Sequence, residues 1–267
     1  MTGPPTFDEL VSHIEQRTAM MLTAISLGDG RVRERPGRTL RDLMFHVGTM
    51  QRAWAEAIPG WAVPESIYAA DTANEGGLYR WLQRSTFLLA HALRSAGPDV
   101  ATRRRATPSG RSMTARHVAR RQLQEATVHA YDAQLSIGRP EPVPDDIAIN
   151  GIDEFVRHRL AGQGPWPLPP AQIELRASMT PVEAGGGRVR RDPPMLWLLD
   201  LTASGVQVIP REAGKPIATM SGRAGDLLLA LYGRTPHLAI DTSGDEEVIQ
   251  ELLDRTDASC SFSVVPR

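Results

Sequence analysis

The chain has 267 residues, a formal net charge of −1, 41% hydrophobic residues and one cysteine, Cys260. That length can bury two modest cores, and the near-neutral balance gives no general attraction to nucleic acid or to an anionic membrane. A single cysteine excludes an intrachain disulfide and suits a reducing cytoplasm. The start MTGPPTFDEL has no basic-then-apolar leader, and FLLAHAL and LLLALY are too short to span a bilayer. The composition fits a soluble cytoplasmic protein and leaves its oligomeric state open.

Phe7, Leu10, Val11, Ile14, Met21 and Ile25 recur at three- and four-residue spacing, predicting a helix from about Pro5 to Leu27. After the loop GDGRVRERPGR, Thr39 caps a second helix that runs to about Ala57, where Pro59 and Gly60 stop it. A third helix runs from about Asn74 to Ser95, ended by Gly97-Pro98. The stretch Val100–Met113 is polar and Arg-rich. Thr114 then caps a fourth helix that stops near Gly138-Arg139-Pro140. Four helices suffice for an antiparallel bundle.

A fifth helix is expected from about Asp145 to Ala161. GQGPWPLPPAQ reads as an interdomain linker, which places the domains at 1–162 and 171–267. Beyond it the period changes. Ile173, Leu175, Ala177 and Met179 alternate, PMLWLLDLT is continuously apolar and GVQVIP is β-branched, so all three read as strands. GRVRR and PREAGK are turn or strand-edge segments. A short helix over Gly225–Gly233, a strand near His237–Ile240, a helix over Glu246–Arg255 and a last strand over Ser261–Val265 complete the half. The fold class is therefore mixed, a four-helix bundle followed by a smaller α+β domain.

The run RRQLQEATVHAYDAQLSIG carries the clearest chemistry. Glu125 and His129, four residues apart, share one helical face, and a carboxylate with an imidazole suits Zn²⁺ or a similar divalent ion. On the second helix His46 shares a face with Leu43, Met50, Trp54 and Ala57, an apolar stripe that points to a bundle interior. A lone histidine there is ordinarily a core residue satisfied by a backbone carbonyl. With the Glu125/His129 pair on a facing helix, it becomes a third ligand, since bundle cores build metal sites this way. Asp132, three residues beyond His129, either accepts the other imidazole N–H or serves as a surface or loop-capping carboxylate.

RTLRDLMFHVGTMQRAW followed by RRQLQEATVHAYDAQLSIG resembles the mycothiol-dependent maleylpyruvate isomerase family, one of the DinB-like metal-binding bundles. Thr39, Leu40, Arg41, Asp42, Leu43 and His46 match its first motif. Glu125, His129 and Asp132 match its second, with Arg121 or Gln122 a looser match before them. The resemblance implies that His46, Glu125 and His129 hold the metal, usually zinc. It also implies a sterol-carrier-like C-terminal domain whose helix ends in a Gly-Arg pair, here Gly233-Arg234. Gly37-Arg38 stand where the family often has an aromatic before the Thr, and the arginines at Arg103–Arg105 depart from its pattern.

Three protein ligands leave coordination positions open, as at a catalytic zinc, and a thiol entering there loses its proton. Cys260, near the C-terminus in an expected strand, suits buried packing, so the sulfur comes from outside; the resemblance implies mycothiol. The thiolate then adds to, or is transferred onto, a small electrophilic substrate, and addition followed by rotation and release gives cis–trans isomerisation. Arg234 and Arg223, flanking the short helix, are candidates for clamping the substrate, or are solvated surface arginines. Arg121, one turn before Glu125, points into the cleft toward the cosubstrate or pairs with Glu125. A bundle kept as a non-catalytic metal- or ligand-binding module is the alternative from another class. Nucleic-acid binding through Arg103–Arg105 and Arg188–Arg191 lacks a recognised module.

Overall fold

The computed structural model describes residues 4–27, 39–60, 75–105, 112–184, 188–190, 192–234 and 239–260. It falls into two compact units, one spanning Pro5–Glu141 and the other beginning at Pro142.

The first unit is the bundle: α1 (Phe7–Leu27), α2 (Leu40–Ala57), α3 (Glu75–Ala96) and α4 (Ala115–Ser136). Its helices start where side chains can satisfy the free N–H groups of the first turn. At α2, Thr39 Oγ1 accepts the Asp42 N–H at 3.1 Å while Asp42 Oδ2 accepts the Thr39 N–H at 2.9 Å, a reciprocal cap. The Thr and Asp of the TLRD motif are thus the start signal of the helix that carries His46. At α4 the same position is filled by His117, whose Nδ1 lies 2.8 Å from Thr114 Oγ1 and 3.3 Å from its backbone N. Gly138, with φ of 71°, ends α4 in the left-handed region that glycine adopts without strain.

Direction of travel separates this bundle from a simple up-and-down one. Trp81 meets Phe45 and Gly48, Ser85 accepts from Arg52, and Thr86 donates to Gln51. Partner numbers therefore rise together along both helices, and α2 and α3 run parallel. Arg94 near the end of α3 pairs with Glu15 near the start of α1, so α3 opposes α1, and α4 begins against the end of α3 through Ala115 N–H to Val100 O at 2.9 Å. The expected antiparallel arrangement holds for these latter pairs and not for α2 with α3. Two parallel neighbours need a connection that returns the full length of the bundle. Residues 61–74, between the two helices, lie outside the described ones, and their sequence carries no helical period.

Across this core runs a short polar ladder. Buried Gln51 donates to Thr18 Oγ1 at 3.2 Å and accepts from Thr86 at 2.9 Å, joining three helices. Beside it, Arg52 lies 4.9 Å over the Trp81 ring, and Gly48 gives that ring its space. The segment expected only to be polar and Arg-rich forms an antiparallel hairpin, β1 (Ala101–Arg105) with β2 (Ser112–Thr114).

The second unit begins before the expected linker. The fifth helix, α5 (Asp145–Glu154), continues through a π-helical turn at Phe155–Arg159 and packs on α6 (Ala224–Leu231). Its ends are tied by Thr180 N–H to Asp145 at 2.7 Å and Trp197 Nε1–H to Asp153 at 3.2 Å. Trp166, in the middle of the stretch read as a linker, is buried, and its backbone N–H donates to Thr202 O at 2.9 Å. A buried tryptophan anchored to a strand makes that proline-rich segment part of the unit's core. The division lies at Glu141/Pro142 and not at 162–171.

A five-stranded sheet of order β7-β6-β3-β8-β9 forms its centre: β3 (Ala171–Ser178), β6 (Met195–Thr202), β7 (Gly205–Ile209), β8 (Ala218–Arg223) and β9 (Asp241–Gly244). Only the β3–β8 pair is parallel. Alternation assigns Ile173, Leu175, Ala177, Trp197, Leu199, Leu201, Val206 and Met220 to one buried face, on which α6 and α7 (Glu246–Cys260) pack. A separate hairpin pairs β4 (Val182–Ala184) with β5 (Arg188–Arg190). The strand expected at His237–Ile240 is placed at β9 instead, with residues 235–238 outside the described ones, as is the strand expected over Ser261–Val265. Cys260 ends α7 and lies in no strand. Strand β8, ATMSGR, was not expected, because its alternation uses Ala, Met and Gly where strong β-formers would have marked it.

Candidate metal centre

His46 and the pair Glu125/His129 come from α2 and α4, whose packing turns both faces toward one point. The Nε2 atoms of the two histidines approach the same carboxylate oxygen. His129 Nε2 lies 3.4 Å and His46 Nε2 4.0 Å from Glu125 Oε2, and the ligand atoms of all three residues lie within 4.8 Å of one another. The two imidazole rings are nearly perpendicular, at 83° with centroids 5.2 Å apart. Donors about 2.1 Å from a tetrahedral cation stand about 3.4 Å apart, so this spacing needs only a small contraction to close on a metal. Two imidazoles and one carboxylate are also a donor set suited to zinc and similar divalent ions.

The tautomer that presents Nε2 is set from behind. Asp132, only 1% exposed, has Oδ2 3.1 Å from His129 Nδ1, so Nδ1 carries the proton and Nε2 its lone pair. This is the carboxylate–histidine arrangement that commonly supports a metal ligand. Burial works to lower the His129 pKa, but the hydrogen bonds to Asp132 and Glu125 outweigh it and hold the imidazole above its ordinary 6.5. Without a cation, the site therefore favours the protonated imidazole more than water does. Glu125 and His46 are 15% and 17% exposed, against 6% for His129, which leaves access to the centre on their side.

The sequence-derived set thus converges for His46, Glu125, His129 and Asp132. The arginines divide. Arg121, one turn before Glu125 on α4, has a buried Nε with no hydrogen-bond partner, and does not pair with Glu125. Arg234 is buried in the second unit, where its Nη1 donates to the Tyr232 carbonyl at 2.5 Å. Arg223 stands exposed at the start of α6 and acts on Asp226, whose pKa burial raises and Arg223 pulls back down. Of the two alternatives for Arg234, its burial excludes the solvated surface residue. Gln122, adjacent to Arg121 and 2% exposed, also has an Nε2 with no partner. In the sequence it showed only as a loose match to the second motif and as a polar residue on the apolar face of α4.

The model of the mycothiol maleylpyruvate isomerase N-terminal domain matches residues 12–134, and that of the MDMPI C-terminal domain matches 146–251. Among curated proteins none matches the chain. Two solved structures share the fold over 90% of this chain and 95% of theirs, each with a TM-score of 0.54. One, at 16% identity, is described as the mycothiol-dependent maleylpyruvate isomerase, and the other, at 17%, as a histidine-to-alanine mutant of it. With one family's two domain models matched in order along the sequence, and that family's fold in both units, the chain belongs to the mycothiol maleylpyruvate isomerase family.

Proposed function

We propose that this protein is a metal-dependent enzyme that uses mycothiol as a cosubstrate to isomerise a small unsaturated electrophile. The observation that carries the proposal is the convergence of His46 Nε2, His129 Nε2 and Glu125 Oε2, with Asp132 fixing His129 from behind. A divalent cation held by these three residues supplies Lewis acidity at an open position, where an incoming thiol becomes a thiolate near neutral pH.

The chain's own residues have definite parts in this. His46 and His129 would hold the cation through neutral imidazoles and Glu125 would add one negative charge, a set that would leave the site enough positive character to favour an anionic sulfur. Asp132 takes the Nδ1 proton and keeps His129 in the ligand tautomer. The sequence contains one cysteine, at the end of α7, so the sulfur is assigned to the cosubstrate. The reaction balances with no further reagent. The sulfur forms a C–S bond to an activated double bond, the resulting single bond rotates, and elimination breaks the C–S bond and returns thiol and rearranged alkene.

The test is isomerisation of maleylpyruvate by the purified protein, with and without mycothiol and with the metal removed and restored. Turnover that needs both supports the proposal, and turnover independent of either contradicts it. If the product retains the sulfur, the same centre performs S-transfer.

A further inference from the structure

Two buried N–H donors beside the metal centre have nothing to bond. Gln122 is 2% exposed with an unpartnered Nε2, and Arg121 has an unpartnered, buried Nε. Buried donors are nearly always satisfied, because a donor taken from water and left unbonded destabilises the fold. Both sit on α4 directly before the ligands. Arg121 is one turn before Glu125, and Gln122 is two turns before His129, which brings it back to the same face within about 20°. Gln122 and His129 thus project from one face of α4, about 10 Å apart along its axis. Both orphaned atoms are donors, and their complement is therefore an oxygen acceptor, a carboxylate or an amide carbonyl.

We infer that Arg121 and Gln122 form an oxygen-acceptor subsite on the α4 side of the metal centre, and that they orient a ligand reacting there. The inference rests on the metal-and-thiol reading given above. It adds that the polarity of this turn serves a bound molecule and is a cost to the empty fold. Two parts of the reaction carry such oxygens, the amide carbonyls of the thiol and the carboxylates of an acidic substrate.

Gln122→Met and Arg121→Met keep the length of each side chain and delete the orphaned donor. Mycothiol and maleate, as separate probes, are titrated into metal-loaded wild type and variants by calorimetry. Metal content and Tm are measured in parallel, and Gln122→Leu is a second variant should the first fold poorly. The expected result is full metal content, a Tm equal to or above wild type, and binding of one probe weakened about tenfold or more. A loss confined to mycothiol assigns the subsite to the thiol's carbonyls, and a loss confined to maleate assigns it to the substrate carboxylate. A lower Tm with both affinities unchanged overturns the inference and leaves the metal-and-thiol reading standing. Failure of the wild type to bind either probe overturns both.

Discussion

Asp132 should set the metal affinity of the centre without touching the metal. Its carboxylate is 1% exposed and its Oδ2 lies 3.1 Å from His129 Nδ1, so it governs both the tautomer of His129 and its basicity. Asp132→Asn keeps the shape and a carbonyl that can still accept the N–H but removes the charge, whereas Asp132→Ala removes the acceptor altogether. Loss of such a supporting partner typically costs 10–100-fold in metal affinity, roughly 1.4–2.7 kcal/mol. We expect the asparagine variant near the lower end of that range and the alanine variant near the upper. The assay is competition between metal-free protein and a chelator for Zn²⁺ at constant pH. A graded weakening supports the reasoning. If both variants bind Zn²⁺ within threefold of wild type while losing thermal stability, Asp132 serves packing alone and the support argument is wrong.

The raised His129 pKa gives the metal-free protein a definite pH response. The folded state favours the imidazolium, so the stability it contributes is complete below the ordinary value of 6.5 and is lost as pH rises through the higher folded value. Thermal melts of metal-free protein should show Tm falling across that window, and Asp132→Asn should flatten the fall; an unchanged slope would count against the assigned cause. Gly48→Ala should destabilise the bundle by about 1–3 kcal/mol despite alanine's better helix propensity. Its Cβ would lie 2.2 Å from Trp81, whose ring is buried between Phe45 and Arg52, and a denaturation midpoint at or above wild type would refute this. Gln51→Met should cost about 1–2 kcal/mol through its two lost hydrogen bonds and no more, because Thr18 and Thr86 keep their bonds to Ile14 O and Leu82 O. Urea unfolding measures that figure.

The convergence of His46, Glu125 and His129 was legible in the sequence because its parts obey helical periodicity: an i,i+4 pair on one helix and a histidine on the apolar stripe of another. Asp132 followed from the same period once His129 was taken as a ligand. The bundle's helices were legible from their spacing and caps, and the sheet from alternation and apolar runs. The rest depended on information that local pattern does not hold. Parallel travel of α2 and α3 shows only in the contacts between them. The unit boundary turns on Trp166, whose proline- and glycine-rich surroundings mimic a linker while its ring belongs to a core. The burial of Arg234 comes from tertiary packing alone, which local pattern does not hold. Gln122 carried almost no signal, since a glutamine lacking a partner can be recognised only in three dimensions.

The central claim is that His46, Glu125 and His129 hold a divalent ion at which a thiol binds. Its most direct test is a Co²⁺ titration of metal-free protein followed by addition of mycothiol, read by visible and near-ultraviolet absorption. The account predicts one Co²⁺ per chain, a new sulfur-to-metal charge-transfer band on adding the thiol, and loss of tight Co²⁺ binding in His46→Ala and His129→Ala. Full Co²⁺ binding by both variants, or tight binding by wild type with no spectral change on adding mycothiol, would contradict it.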